Sequence, residues 1–109
     1  MYVSFAQKSK LGERIRKQRY NDKKSLRTLA AECDMNYATL NDIEKGNGFP
    51  TEKVFLRLVE NLNFKNKKNE YNLYAEIKST APPDVIDFLA KNKSAVEIVR
   101  QIMKENEGK

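Results

Sequence analysis

Histidine is absent from the 109 residues, and cysteine occurs once, at Cys33. Without histidine there is no Ser-His or Cys-His relay of the usual kind, and zinc loses its commonest ligand. One cysteine closes no intramolecular disulfide and, with no histidine beside it, makes no metal cluster. A cytoplasmic protein is the expectation. Glycine is scarce, and Gly12, Gly46, Gly48 and Gly108 fit neither common phosphate-loop pattern. These absences argue against an enzyme and against a bound metal or cofactor. No run approaches the ~20 apolar residues of a membrane span. The opening Met1–Gln7 is too short and too little hydrophobic for a secretory signal. There is no internal repeat, no low-complexity tract and no alternating stretch of the kind a half-buried strand needs, so the chain reads as all-α.

What is present in quantity is charge. Charged residues make up 33% of the chain against 39% hydrophobic, so a modest core under a polar skin is expected. The net charge of +6 is unevenly spread. Residues 1–69 hold fifteen Lys or Arg against eight Asp or Glu, while residues 70–109 hold six against seven. A basic half beside a neutral one suits a protein that faces phosphates with one end.

The basic half contains the most informative run, Ser25 to Gly46. Ser25 and Asn36 are good N-caps, because a short side-chain oxygen accepts from the open N–H groups of a first turn. They predict helices over about Leu26–Cys33 and Tyr37–Glu44, with Leu29, Ala30, Leu40 and Ile43 turned inward. Gly46 tolerates the positive φ that ends a helix. Two helices this short need a frame. The frame is predicted as a first helix over about Lys10–Tyr20 behind Ser9, with Leu11 and Ile15 on one face. A fourth helix follows, capped by Thr51, with the stripe Val54, Phe55, Leu58 and Leu62 and with Phe64 closing the bundle. The polar stretch Asn63–Asn69 marks a boundary between a domain at 1–65 and a helical extension at 66–109. In the extension, a fifth helix covers about Lys68–Ser79 with Tyr71, Leu73, Tyr74 and Ile77 as a packing stripe. Pro82 breaks the chain, and Pro83 opens a sixth helix to Lys91 that buries Val85, Ile86, Leu89 and Phe88. Ser94-Ala-Val-Glu97 matches a capping box opening a last helix to about Asn106, with Ala95, Ile98, Val99, Ile102 and Met103 on one side.

From Leu11 to about Phe64, roughly half its length, the chain resembles the Cro/repressor-type helix-turn-helix regulators of the xenobiotic-response class. Leu11-Gly-Glu-Arg-Ile-Arg16, Ser25-Leu-Arg-Thr-Leu-Ala30, Ile43-Glu-Lys-Gly46 and Pro50-Thr51 occur in the family's order and register. The resemblance implies a lambda-repressor-like bundle of four to five helices that binds double-stranded DNA, as a transcription regulator and most simply a repressor. It places the small Ala30 where the two motif helices cross, and it matches Arg19 and Glu44 to a buried ion pair. Three positions depart from the pattern. Lys23 stands for a turn glycine, Lys24 for a leucine, and Asp34 for the glycine between the motif helices. Asp tolerates the left-handed region, and Leu26 or Tyr20 is expected to seal the core in place of the lost leucine.

By the family's register, Tyr37, Ala38, Asn41 and Asp42 match base-reading positions. Ser25, Leu26 (through its backbone N–H), Arg27, Lys45, Asn47 and Gly48 match phosphate contacts, with Lys8, Lys10 and Arg16 as possible helpers. An Asn amide suits adenine, an Ala methyl the thymine methyl, and a carboxylate the cytosine amino group. Cys33 falls at a core position and is expected to be buried. RNA is disfavoured, since no stacking aromatics cluster with the basic face. The last helix has more apolar residues than a lone helix hides. Three fates stay open: packing back on the bundle, pairing in a homodimer through Val85, Leu89, Ile98, Val99 and Ile102, or binding a partner protein such as a toxin, as an antitoxin does.

Overall fold

The computed structural model describes residues 3–107. Met1 and Tyr2, where the expectation about a leader begins, and Gly108, the last of the glycines, lie outside the described residues. Seven helices and no strand occur among the described residues: α1 (Phe5–Asn21), α2 (Leu26–Glu32), α3 (Tyr37–Lys45), α4 (Glu52–Glu60), α5 (Lys67–Lys78), α6 (Pro83–Lys91) and α7 (Lys93–Glu107). None is long and apolar enough to cross a membrane.

Local chemistry sets most of the boundaries. Ser25, Asn36 and Thr51 each accept from a first-turn N–H of α2, α3 and α4. Gly46 ends α3 at φ 80°. Lys23 at φ 56° and Asp34 at φ 51° occupy the left-handed region on either side of α2, where glycine would cost less. Two starts differ from expectation. The first helix begins five residues before Lys10, because Ser4 and Gln7 form a reciprocal capping box. Ser9 therefore lies inside α1. The last helix begins at Lys93, with Asn92 alone separating it from α6, so Ser94 sits within the helix. Glu97 pairs with Arg100 at 2.8 Å instead of reaching back to a cap.

The core gathers Leu11 and Ile15 of α1, Leu29 and Ala30 of α2, Leu40 and Ile43 of α3, and Phe55, Leu58 and Val59 of α4, with Cys33 and Leu62 beside them. It does not stop at residue 65. Tyr71, Tyr74 and Ile77 of α5 belong to the same cluster. Tyr74 stacks on Phe55 at 4.7 Å and on Phe49 at 5.2 Å, and its hydroxyl donates to the Pro50 carbonyl at 2.9 Å. Arg14 of α1 forms a two-pronged pair with Glu70 of α5 at 2.8 and 2.6 Å. Thus α5 completes the bundle, and the extension proper is α6 and α7.

Three residues expected to face inward, Tyr20, Val85 and Phe88, are exposed. Tyr20 seals nothing. It is 63% exposed, and the Arg19 guanidinium lies 4.7 Å over its ring. Leu26 is half-buried against the core, while Lys24 donates to the Asn61 carbonyl at 2.6 Å and to Glu32 at 2.8 Å. A flexible cation that bridges α2 to the end of α4 thus stands where an apolar side chain was expected. Val85 and Phe88 of α6 are exposed rather than buried, because α6 turns Pro83, Ile86 and Leu89 inward. α7 has no buried residue at all and does not fold back on the bundle.

α1 and α3 approach closely at Gly12. A Cβ on Gly12 would collide with the Ile43 carbonyl oxygen and come within 2.9 Å of the Glu44 carbonyl oxygen. Both obstacles are backbone, so neither can swing away. Gly12→Ala should therefore lower unfolding free energy by about 1–3 kcal/mol through overpacking, against the gain an Ala ordinarily brings to a helix interior. Urea titration reads the difference, and a stabilised variant would contradict the close contact.

Burial pushes the Cys33 thiol up to about 11 and the Tyr74 hydroxyl up to about 12. Each group is neutral when protonated and keeps its proton to higher pH folded than unfolded. The Cys33 contribution is complete below the unfolded thiol's value of 9.0 and is lost as pH rises toward about 11, and that of Tyr74 is complete below 10.0 and is lost toward about 12. Stability measured by urea should fall across that window, with part of the fall removed in Cys33→Ala. At about pH 8 a thiol reagent should label Cys33 only as the chain unfolds.

Candidate nucleic-acid interface

α3 is fixed on its inner side and at both ends. Leu40 and Ile43 are buried, and the Asn36 side chain accepts from the Ala38 N–H at 2.7 Å. At the far end Gly46 lies so near α1 that a Cβ there would come within 3.0 Å of the Ser9 Cα. Glu44 is held by Arg19 through two contacts, Nε at 2.8 Å and Nη2 at 2.9 Å, while Arg19 Nη1 donates to the Lys24 carbonyl at 3.0 Å. Both side chains are more than nine-tenths buried. The hydrogen bonds Arg19 donates to Glu44 hold the guanidinium's pKa above its ordinary value. One contact network therefore ties α1, the turn before α2 and the end of α3.

The outer side of α3 is polar and open. Tyr37, Ala38, Asp42 and Lys45 are exposed, and Asn41 is half-buried. Thr39, which the register reading left out, is exposed on the same helix. Its signal was weak in sequence, since a lone Thr on a short helix suits any surface. Thr39 and Asp42 border a shallow hollow of about 200 Å³ closed by Ile43, Gly48, Phe49, Pro50, Thr51 and Val54.

Two groups of candidates meet at the start of α3. The Arg27 guanidinium stands 5.1 Å over the Tyr37 ring, so a cation from the start of α2 is carried onto the first residue of α3. Ser25 is already engaged, accepting from the Thr28 N–H at 3.0 Å and donating to Thr28 Oγ1 at 2.8 Å. The Leu26 side chain packs inward, which leaves its backbone N–H at the opening of α2 as the group it can offer. After α3 the chain closes on itself. The N–H groups of Asn47 and Gly48 both point to the Asp42 carbonyl, at 2.9 and 3.3 Å. Asn47 thus offers its exposed side chain, whereas the Gly48 amide is turned inward. Of the helpers on α1, Lys10 and Arg16 are exposed and Lys8 is half-buried. No group of three possible metal ligands occurs among the described residues.

The arrangement is a short rigid rod with Asn, Asp, Tyr and Ala outward and cations at either end. Arg19→Ala would strand the Glu44 carboxylate in the core, and a broken buried pair typically costs about 3–5 kcal/mol. A drop of that size in urea titration, together with faster amide exchange along α3, is expected. A loss below about 1 kcal/mol would show that packing alone holds the helix.

Comparison with protein-family models, with curated proteins and with solved structures finds no match, so the functional argument is carried by this chain's own residues.

Proposed function

We propose that the chain is a sequence-specific, double-stranded DNA-binding transcription regulator of the helix-turn-helix kind, and that it represses by covering a promoter. The observation that carries this reading is the outward polar row of α3, braced from behind by Leu40, Ile43 and the Arg19–Glu44 pair, in the half of the chain with the positive surplus. A helix held in this way can enter a major groove as a unit, with its side chains already placed. Asn41 suits an adenine edge, Ala38 a thymine methyl and Asp42 a cytosine amino group. Arg27, carried on the Tyr37 ring, and Lys45 at the far end lie where the phosphates on either side of a groove would pass. In this role Tyr37 supports Arg27 as well as reaching toward the bases. A repressor of this size reads a symmetric operator as a dimer, one half-site per copy.

Binding selection from random duplexes supplies the operator, and gel shifts on that operator test the roles. Asn41→Ala should weaken operator binding by about 1–3 kcal/mol while leaving random-sequence binding in place. Lys45→Ala should weaken both, and should reduce the salt slope by about one unit. If selection yields no preferred sequence, or if Asn41→Ala leaves the preference intact, α3 is not the reading element.

A further inference from the structure

The DNA-binding reading leaves unused the exposed apolar side chains of α6 and α7, two helices in contact with each other. Val85 and Phe88 on α6, and Ile98, Val99, Ile102 and Met103 on α7, are 38% to 63% exposed. α7 buries nothing, and the molecule is drawn out to 50 Å on its long axis against 27 and 24 Å on the others. We propose that a second copy of this chain closes this face, with two α7 helices packed antiparallel about a two-fold axis at the middle of the helix. The proposal supplies a second half-site to the regulator proposed above, but it rests on the α6–α7 surface alone.

The area fits a second copy. An aromatic side chain presents roughly 150–250 Å² when fully exposed, and the aliphatic ones here lie near or below the low end of that range. Six such residues, 38% to 63% exposed, leave on the order of 500 Å² open on each copy. That is near the top of what a monomer usually leaves as its largest patch, ~300–600 Å². Two copies face to face would bury on the order of 1,000 Å² of apolar surface, and the flanking polar groups bring the total into the ~1,200–2,000 Å² range of stable interfaces.

The charge pattern fits as well. On α7 the cations Lys93, Arg100 and Lys104 balance the anions Glu97, Glu105 and Glu107. At 3.6 residues per turn, Lys93, Glu97, Arg100 and Lys104 fall on the side opposite Ile98 and Ile102. The face is therefore apolar at its centre, with Glu105, seven residues on from Ile98, at its C-terminal edge. In the antiparallel pair each Glu105 lies opposite Ala95 of the other copy, and the two Glu105 side chains are roughly 15 Å apart along the axis, so two copies do not repel there. An anionic lipid surface or a strongly charged partner would find no counter-charge. Two copies meeting through residues 1–69 would instead bring two positive surpluses together. The geometry is self-complementary too. Ile98 and Ile102 lie equally far from the centre of Lys93–Glu107. An antiparallel pair thus sets Ile98 against Ile102 of the second copy and the reverse, as a two-fold axis requires.

Light scattering on the full chain without DNA tests this. The expected mass is twice the 12.7 kDa of one chain, and Ile98→Glu with Ile102→Glu should halve it. α7 has no buried residue in the single chain, so the double variant should keep its fold, read by an unchanged circular dichroism spectrum and a thermal transition that stays cooperative but loses the concentration dependence of a dimer. With Cys33 buried, introduced cysteines report geometry. Ile98→Cys with Ile102→Cys should oxidise to a covalent dimer more readily than either single change. A monomeric wild type at micromolar concentration, a dimer that survives both Glu changes, or an assembly larger than two would overturn the proposal. Better cross-linking by a single cysteine would overturn the antiparallel arrangement. None of these measurements involves DNA, so failure here is separable from failure of the DNA-binding reading.

Discussion

Everything at the candidate interface depends on how closely α1 can approach α3. Gly12 permits the contact by presenting no side chain to the Ile43 and Glu44 carbonyls. Once the helices are that close, Arg19, two turns further along α1, reaches Glu44 in a two-pronged pair shielded from water. Hydrophobic burial of Leu40 and Ile43 would hold α3 against the core without fixing its rotation or its slide. The ion pair fixes both, because its hydrogen bonds tolerate little misalignment. A recognition element needs that order, since a displaced helix loses its hydrogen bonds to base edges together rather than one at a time.

A second layer of support comes from α5. Tyr74 packs beneath Phe49 and binds the Pro50 carbonyl, so the loop after α3 is anchored by a helix from beyond the polar stretch at residues 63–69. Arg14–Glu70 ties the same helix to α1. The bundle is thus braced from both sides of α3, α6 packs on α4 and α5, and α7 is left to project. Rigid packing at one end and an open apolar face at the other divide the chain more sharply than the polar stretch at residues 63–69 does.

Short-range signals made much of this legible from residues alone. Ser25, Asn36, Thr51 and Gly46 act within one helical turn, and they stand where the caps of α2, α3 and α4 were expected. Misses came where two local signals competed or where a tertiary partner decided. Ser4 with Gln7 outcompeted Ser9 as the start of α1, since a reciprocal box satisfies two open N–H groups rather than one. Ser94 with Glu97 carried the same pattern, but the chain was already helical at Lys93. Of the two residues expected to seal the core beside Lys24, Leu26 packs against it and Tyr20 does not, and Lys24 itself crosses a gap to a carbonyl on another helix, which no pattern in one segment reveals. The same limit hid Gly12, whose obstacle is backbone more than thirty residues away. At the candidate site, the stacking of Arg27 on Tyr37 and the inward turn of the Gly48 amide were equally out of reach, since both depend on how elements meet.

The most direct measurement is a map of amide chemical shifts as the chain is titrated with a duplex carrying its selected operator. Changes concentrated on Tyr37–Asp42, on Ser25–Arg27 and at Lys45 and Asn47, with α6 and α7 unaffected, are the expected result. Changes confined to α6 and α7, or spread evenly over every exposed lysine and arginine, would contradict α3 as the helix that reads DNA.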